Sequence, residues 1–346
     1  MQGKERPRVV VIGAGAIGSA VAGWIAPHYS DLSLLARGET AKVIREKGMR
    51  MYLKGQRAQA VPIPMKVIES LAEIPASDIL VIAVKNYDLD AVAKEMRGQI
   101  GNREPIVVGL QNGVENQQIL PQYFAKPIYG VVCFNAWRDA PGEVGHEAKG
   151  LIILGTPNNV LKAEMREVAS VFQPGLDCTI TDRLQDAAHC KLVINQVNAL
   201  MTLVGFQKRP IESFNVLVHM TMSLMWEGVR LLRAAGFKEH PLGNIPSWRT
   251  IEFGAKLPAP LTAALYRFSA KELGLNSMSQ DVFSGRAYTE LESLNGYMLR
   301  LAEKVGFPAP INETIYEVAK ERLGPGFKPL PEKELWSLIQ KKMKKK

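Results

Sequence analysis

At 346 residues, 47% of them hydrophobic, the chain is too long for one hydrophobic core and apolar enough to fill two, which argues against disorder and predicts two packed domains. The formal charge of +9 does not predict a nucleic-acid binder, because Lys341, Lys342, Lys344, Lys345 and Lys346 supply five of those charges in an expected solvated tail; the mild remainder suits steering of an anionic cofactor and substrate. Cys133, Cys178 and Cys190 form no C-x-x-C pair and leave an odd count, so neither a disulfide framework nor a zinc site is indicated, no metal is expected, and a reducing cytoplasm fits.

The first element is an apolar strand, Arg8 to Ile12, running into Gly13-Ala14-Gly15-Ala16-Ile17-Gly18 and then a small-residue helix. Residues 9 to 26 include no charge and could pass for a membrane segment, but Gly13, Gly15, Gly18 and Gly23 make a poor membrane helix, and no other stretch reaches spanning length. The glycines have a better use. Gly13 permits a tight turn, Gly15 lets the backbone approach a pyrophosphate, and Gly18 lets the helix pack on its strand, with the N–H groups of the helix start, at Ala16, Ile17 and Gly18, aimed at the anion.

The second strand, Leu32 to Ala36, ends at Arg37, where an NAD enzyme usually carries a carboxylate for the ribose 2′-hydroxyl. A guanidinium there pairs with a 2′-phosphate instead, so NADPH/NADP+ is the predicted cofactor, although Glu39 stands close by. Further strands run from Ile79 to Val84 and Ile106 to Leu110. Ligands of open α/β sheets lie beyond such carboxyl ends, which marks Lys85 for the phosphates or a substrate carboxylate, and Asn112 for the nicotinamide ribose or the substrate. A later pair, Ile128 to Phe134 and Leu151 to Gly155, with the Pro141-Gly142 turn between them, is expected to extend the sheet.

Beyond Thr181 the pattern turns helical: Asp182 to Phe206, Phe214 to Ala235 and Thr289 to Val305 carry apolar residues at helical spacing. The predicted fold is therefore α/β, a Rossmann-type parallel-sheet domain over residues 1–181 followed by an all-helical substrate and catalytic domain over 182–326 and a basic tail over 327–346. Within the apolar helix from Asp186 to Gly205, Lys191, Asn195 and Asn198 share one face. A lysine in so apolar a helix needs a polar cleft or a partner, which makes it a proton-donor candidate, whereas His189 points elsewhere and reads as structural. Ser277 offers a hydroxyl for a carboxylate, and Glu290 can reach the lysine or a substrate hydroxyl, or simply compensate a helix dipole. Asp281 and Arg286 tie a loop together or touch substrate.

Taken in order, Gly13-Ala14-Gly15-Ala16-Ile17-Gly18, Ala36-Arg37-Gly38, Val84-Lys85, Gln111-Asn112-Gly113, Lys191 to Asn195, Ser277 to Asp281, Gly285-Arg286, Thr289-Glu290, Asn295-Gly296 and Pro310-Ile311-Asn312 resemble the ketopantoate reductase (2-dehydropantoate 2-reductase) family to about residue 323. The resemblance implies NADPH-dependent reduction of 2-dehydropantoate to pantoate in pantothenate biosynthesis, with Lys191 as general acid. It also implies Asn112 and Asn195 at the reacting centre, Ser277 on the substrate carboxylate and Glu290 near the lysine or the substrate hydroxyl. The chain departs from the family in its substrate half: Ala199 replaces a common second asparagine, with Asn198 offered instead; His189 replaces a tryptophan; Asn276 replaces a frequent serine; and the segment from Asp281 to Glu290 is one residue longer. These differences keep open a reductase of another 2-oxo acid and, more remotely, a regulatory protein that holds NADP(H) without turnover. A small 2-oxo acid is the expected partner, with no nucleic acid or membrane, and the apolar helices after residue 206 suit a homodimer interface or a monomer core equally.

Overall fold

Short, mainly apolar strands set the frame of the N-terminal half, because a central strand covered on both faces needs no polar alternation. In the computed structural model, which describes residues 6–344 apart from 75, 273–275, 287 and 325 and leaves the side chains of 266–272 aside, these strands form an eight-stranded sheet. Lys345 and Lys346 of the sequence reading lie outside the described residues. The strands are β1 (Val9–Ile12), β2 (Leu32–Leu35), β3 (Met49–Leu53), β4 (Pro62–Ile63), β5 (Lys66–Ile68), β6 (Ile79–Ile82), β7 (Ile106–Gly109), β8 (Pro127–Val132), β9 (Ala136–Ala140), β10 (Glu143–His146), β11 (Leu151–Gly155) and β12 (Asp177–Ile180). The large sheet has the order β12-β11-β8-β7-β6-β1-β2-β5 and is parallel except where β11 meets β8. Its crossovers use α1 (Ala16–Ile25), α2 (Gly38–Lys47), α3 (Asn86–Ile100), α4 (Asn116–Ile119) and α5 (Lys162–Phe172).

Two strands from each of two distant segments make a second sheet, ordered β4-β3-β10-β9. The Pro141-Gly142 turn therefore joins β9 to β10 in this sheet; the two strands it was expected to connect, β8 and β11, pair with each other in the large one. The second sheet explains the uncharged stretch at the start of the chain. One side of α1 contributes Val21, Ala22 and Ile25 to the main core, while Ala20 packs with Ala136 and Val144 of the second sheet. A methyl group added at Gly23 would lie 2.0 Å from the Met51 sulfur of β3, so α1 is apolar all round because it is covered all round.

The Cα framework divides into two compact units, Met1–Leu184 and Gln185–Lys346. The second unit is helical: α6 (Leu184–Asn195, begun in the first unit's last residue), α7 (Val197–Leu203), α8 (Phe214–Ala234), α9 (Trp248–Lys256), α10 (Ala259–Glu272), α11 (Ser277–Phe283), α12 (Tyr297–Lys304), α13 (Pro310–Arg322) and α14 (Glu332–Met343). The expected single helix across Lys191 and Asn198 is interrupted at Gln196, whose carbonyl accepts from Asn295 Nδ2 at 3.0 Å. The stretch from Thr289 to Val305 is likewise irregular, with a π turn over Glu292–Gly296 before α12.

The C-terminal segment is not a solvated tail. Leu335 and Ile339, one turn apart on α14, are fully buried, and the buried Glu332 accepts from Arg209 Nη2 at 2.8 Å and from the Ser213 N–H at 3.2 Å. The lysines that dominate its composition obscure this apolar stripe. No helix among the described residues is long and apolar enough to cross a membrane, and no cluster of three or more His, Cys, Asp or Glu among them is placed to hold a metal.

Candidate active site

The carboxyl edge of the large sheet gathers every nucleotide-site residue expected in the first unit. Gly13 has φ +103°, and a Cβ there would press within 2.9 Å of Val84 Cγ1, so the turn after β1 needs glycine for both conformation and space. Gly18 is tighter still: its Cβ would fall 2.0 Å from the Gly13 carbonyl oxygen. Gly15 is the opposite case, with ordinary φ and ψ of −77° and −173° and nothing within 4 Å of an added Cβ. Packing therefore explains Gly13 and Gly18, whereas at Gly15 the missing side chain leaves open space beside the start of α1. No side chain caps that helix and no acid occupies its first turn. Open space over backbone N–H groups at a helix start fits the pyrophosphate of a dinucleotide.

Next along the edge, Lys85 immediately precedes α3 and Asn112 follows β7. Side-chain amides lock these two strand ends together. Gln111 Nε2 donates to the Ile82 and Val84 carbonyls at 2.8 and 3.2 Å, and Asn86 Nδ2 donates to the Asn112 carbonyl at 2.5 Å. Lys85 and Asn112 are thus presented from a braced scaffold. Arg138 of β9 reaches the Gly-rich loop from the second sheet, donating to the Ala14 carbonyl at 3.5 Å. The sequence reading missed Arg138, and no local pattern pointed to it, because the two residues are 124 positions apart.

Arg37 sits at the end of β2 as expected, but its guanidinium is engaged. Both terminal nitrogens hydrogen-bond to the Glu95 carboxylate of α3, and Nε donates to the Glu69 carbonyl at 3.3 Å.

The helical unit carries the remaining polar residues expected at the site on α6, α7 and α11. Lys191 and Asn195 lie a turn apart on α6, the lysine half-buried and Asn195 buried. Asn198 falls beyond the break, on α7, where its carbonyl accepts from Thr202 Oγ1 at 2.7 Å and from Asn276 Nδ2 at 3.4 Å. Asn276 also caps α11 by accepting from the Ser279 N–H at 2.8 Å, and Ser279 Oγ meets Thr202 Oγ1 at 2.9 Å. These bonds seat α11 on α7 and fix Ser277 at the first position of α11. From there Ser277 Oγ donates to Glu290 Oε2 at 3.0 Å, so two residues singled out separately in the sequence are joined, and Glu290 is only 2% exposed. Asp281 and Arg286 close the intervening loop by an ion pair at 3.1 Å, one of the two roles they were given.

His189 is structural in this unit. Nδ1 faces the Gln185 carbonyl at 2.7 Å and must carry the proton, leaving Nε2 to accept from the Tyr297 hydroxyl at 2.7 Å. The ring stacks on Phe237 at 3.8 Å, and burial pushes its pKa below the ordinary histidine value.

Comparison with known proteins matches both units. A family model described as "Ketopantoate reductase PanE/ApbA" covers residues 9–159, and its C-terminal counterpart covers residues 183–323. The chain is 24% identical over 327 residues to a 2-dehydropantoate 2-reductase of Pyrococcus horikoshii, covering 93% of this chain and 100% of that protein. Among solved structures, a 2-dehydropantoate 2-reductase from Geobacter metallireducens shares the fold with a TM-score of 0.73 at 24% identity, covering 91% of this chain and 99% of that one. A D-mandelate dehydrogenase with NADH and anilino(oxo)acetate shares it with a TM-score of 0.70 at 18% identity, covering 94% and 99%.

Proposed function

Since the chain belongs to the ketopantoate reductase family, we propose that this oxidoreductase reduces the keto group of a 2-oxo acid, with 2-dehydropantoate as substrate, pantoate as product and NADPH as donor. The observation that carries the reading is the Ser277 hydroxyl bonded to the buried Glu290, in the helical unit whose α6 also carries the half-buried Lys191 and the buried Asn195. A half-buried lysine and a buried carboxylate are each costly to desolvate, and a proton donor with its counter-charge is a use that accounts for both. Bound at the carboxyl edge, where the open space at Gly15, the N–H groups at the start of α1, Lys85 and Asn112 would hold it, a reduced nicotinamide dinucleotide would supply a hydride to the keto carbon. Lys191 gives its proton to the carbonyl oxygen as the alkoxide develops, and its charge stabilises that oxygen before transfer is complete. Ser277 turns its one hydroxyl proton from Glu290 to the substrate carboxylate, Glu290 is left to face the lysine or the substrate hydroxyl, and Asn195 and Asn112 orient the reactants.

A second reading, a different 2-oxo acid with NADH as donor, is favoured by the engagement of Arg37 with Glu95 and by the likeness to a mandelate dehydrogenase. A panel of 2-oxo acids assayed with NADPH and with NADH separates the two. Lys191→Ala should lower turnover about 10²- to 10⁴-fold while leaving nucleotide binding intact. Near-normal turnover in that variant would remove Lys191 from the chemistry, and nucleotide binding without turnover on any acid would leave a regulatory binder.

A further inference from the structure

Arg37 occupies the position after β2 from which a Rossmann-type unit tests the adenosine ribose, yet each of its three guanidinium nitrogens already donates to an acceptor. Glu95 takes both ends of the guanidinium fork, with Nη1 to Oε2 at 3.2 Å and Nη2 to Oε1, and Nε is held by the Glu69 carbonyl. Glu95 is itself fixed. Gln99 Nε2 donates to Glu95 Oε1 at 2.8 Å, while Gln99 Oε1 accepts from the Leu71 N–H at 2.8 Å and from Ser70 Oγ at 3.0 Å. Gln99 thus ties the carboxylate of α3 to the segment after β5, the same segment whose Glu69 carbonyl holds Arg37. Glu69 in turn accepts from Arg45 at 2.6 Å through its own side chain. The arrangement neutralises the cation at the ribose site with an anion that a neighbouring helix keeps in place.

We propose that Glu95 is a specificity-determining residue for the dinucleotide, acting on Arg37. The assignment rests on the reading that this edge binds a nicotinamide dinucleotide. A 2′-phosphate arriving at Arg37 must displace or share the Glu95 carboxylate and lies close to its negative charge; a 2′-hydroxyl meets neither obstacle. Glu95 therefore narrows the preference for NADPH that Arg37 alone would confer, and the balance of the two residues sets the cofactor choice. Both side chains are partly solvated, at 52% and 38% exposure, so the effect is moderate.

The test is direct titration of NADPH and of NADH, by nucleotide fluorescence or calorimetry, against the wild-type protein, Glu95→Gln, Arg37→Gln and the double variant. Glu95→Gln should tighten NADPH binding about three- to tenfold and leave NADH within about twofold, with a gain that shrinks as salt rises. In the Arg37→Gln background the same change should lose most of that gain, because the cation it liberates is gone. Equal changes for the two nucleotides, or no change for NADPH, would overturn the assignment while leaving dinucleotide binding in place. Failure of the wild-type protein to bind either nucleotide would overturn both the assignment and the reading beneath it. Glu95→Ala, measured alongside, repeats the test without the hydrogen-bonding amide, and a gain for NADPH in both variants is required.

Discussion

Gly15 and Gly18 belong to the same glycine motif, one before α1 and one in its first turn, and answer a methyl group in opposite ways. At Gly18 an alanine Cβ would stand 2.0 Å from the Gly13 carbonyl oxygen and 3.1 Å from the Ala83 Cβ. Both neighbours are held: Gly13 donates its N–H to the Leu35 carbonyl at 3.2 Å, and Ala83 donates its own to Ile12 at 2.9 Å. Relief requires α1 to back away from β1 by about an ångström, and overpacking of that kind costs about 1–3 kcal/mol. For a unit of this size that lowers the melting temperature by roughly 2–12 °C, with weaker nucleotide binding because the helix start moves. At Gly15 the backbone angles suit any residue and the added methyl meets no protein atom within 4 Å. Gly15→Ala should therefore melt within about 2 °C of the wild type, or slightly above it. The methyl projects into the space assigned to the pyrophosphate, so NADPH and NADH should both bind at least about tenfold more weakly. Thermal unfolding followed by circular dichroism, with nucleotide titration on the same preparations, separates the two effects. A Gly15→Ala protein that binds both nucleotides with wild-type affinity would show that the open space beside α1 is not where the dinucleotide lies.

Ser277→Ala removes the hydroxyl bonded to Glu290, and steady-state kinetics should show a KM for the 2-oxo acid raised about tenfold or more, with the nucleotide constant unchanged. Glu227 is buried and accepts the first N–H groups of α13 on both oxygens, from Ile311 at 2.9 Å and Asn312 at 2.8 Å. Glu227→Gln turns an amide donor towards one of them and should cost about 1.5–3 kcal/mol in denaturant unfolding; an unchanged midpoint would deny the cap any role in stability. His189 is held neutral, its folded pKa below the ordinary value of 6.5, so its contribution is fully present above about pH 6.5 and is lost as pH falls through the folded value. Melting temperatures between pH 8 and 5 should accordingly fall less steeply in His189→Asn than in the wild type, and parallel curves would contradict the burial argument.

How much of this was legible depended on how far apart the interacting residues lie. The β1–glycine–α1 unit, the strand ends at Lys85 and Asn112, and the helical character after Thr181 are local patterns, and the structure places them as read. The second sheet is not local. β3 pairs with β10 across some ninety residues, and its strands are short and partly polar, so the Pro141-Gly142 turn was given to the wrong neighbours. Helical periodicity also continues smoothly through Gln196 and through Glu292–Gly296, because periodicity records which residues face the core and not which carbonyl leaves the ladder. The ion pair of Arg37 with Glu95 spans 58 positions, and neither residue carries a sign of the other.

The two helix irregularities are one feature. Asn295 lies within the π turn, and its amide donates both to the Gln196 carbonyl at the α6–α7 break and to Asn312 Oδ1 at 2.8 Å, while Asn312 Nδ2 returns to the Asn295 carbonyl at 3.0 Å. Asn312 is set in turn by Glu227, which accepts its N–H at the start of α13. Gln196 adds a brace from the other side, its Nε2 donating to the Leu224 carbonyl of α8 at 3.2 Å. Such a network is stabilising in an apolar interior only when its members hold one another, since each unmet amide costs about 1–3 kcal/mol. Its position decides what it is for. The break falls directly after Asn195 and before Asn198, and the π turn begins two residues after Glu290. The amides therefore hold the helical unit irregular beside Asn195 and Glu290, two of the side chains proposed to act on the substrate and the lysine.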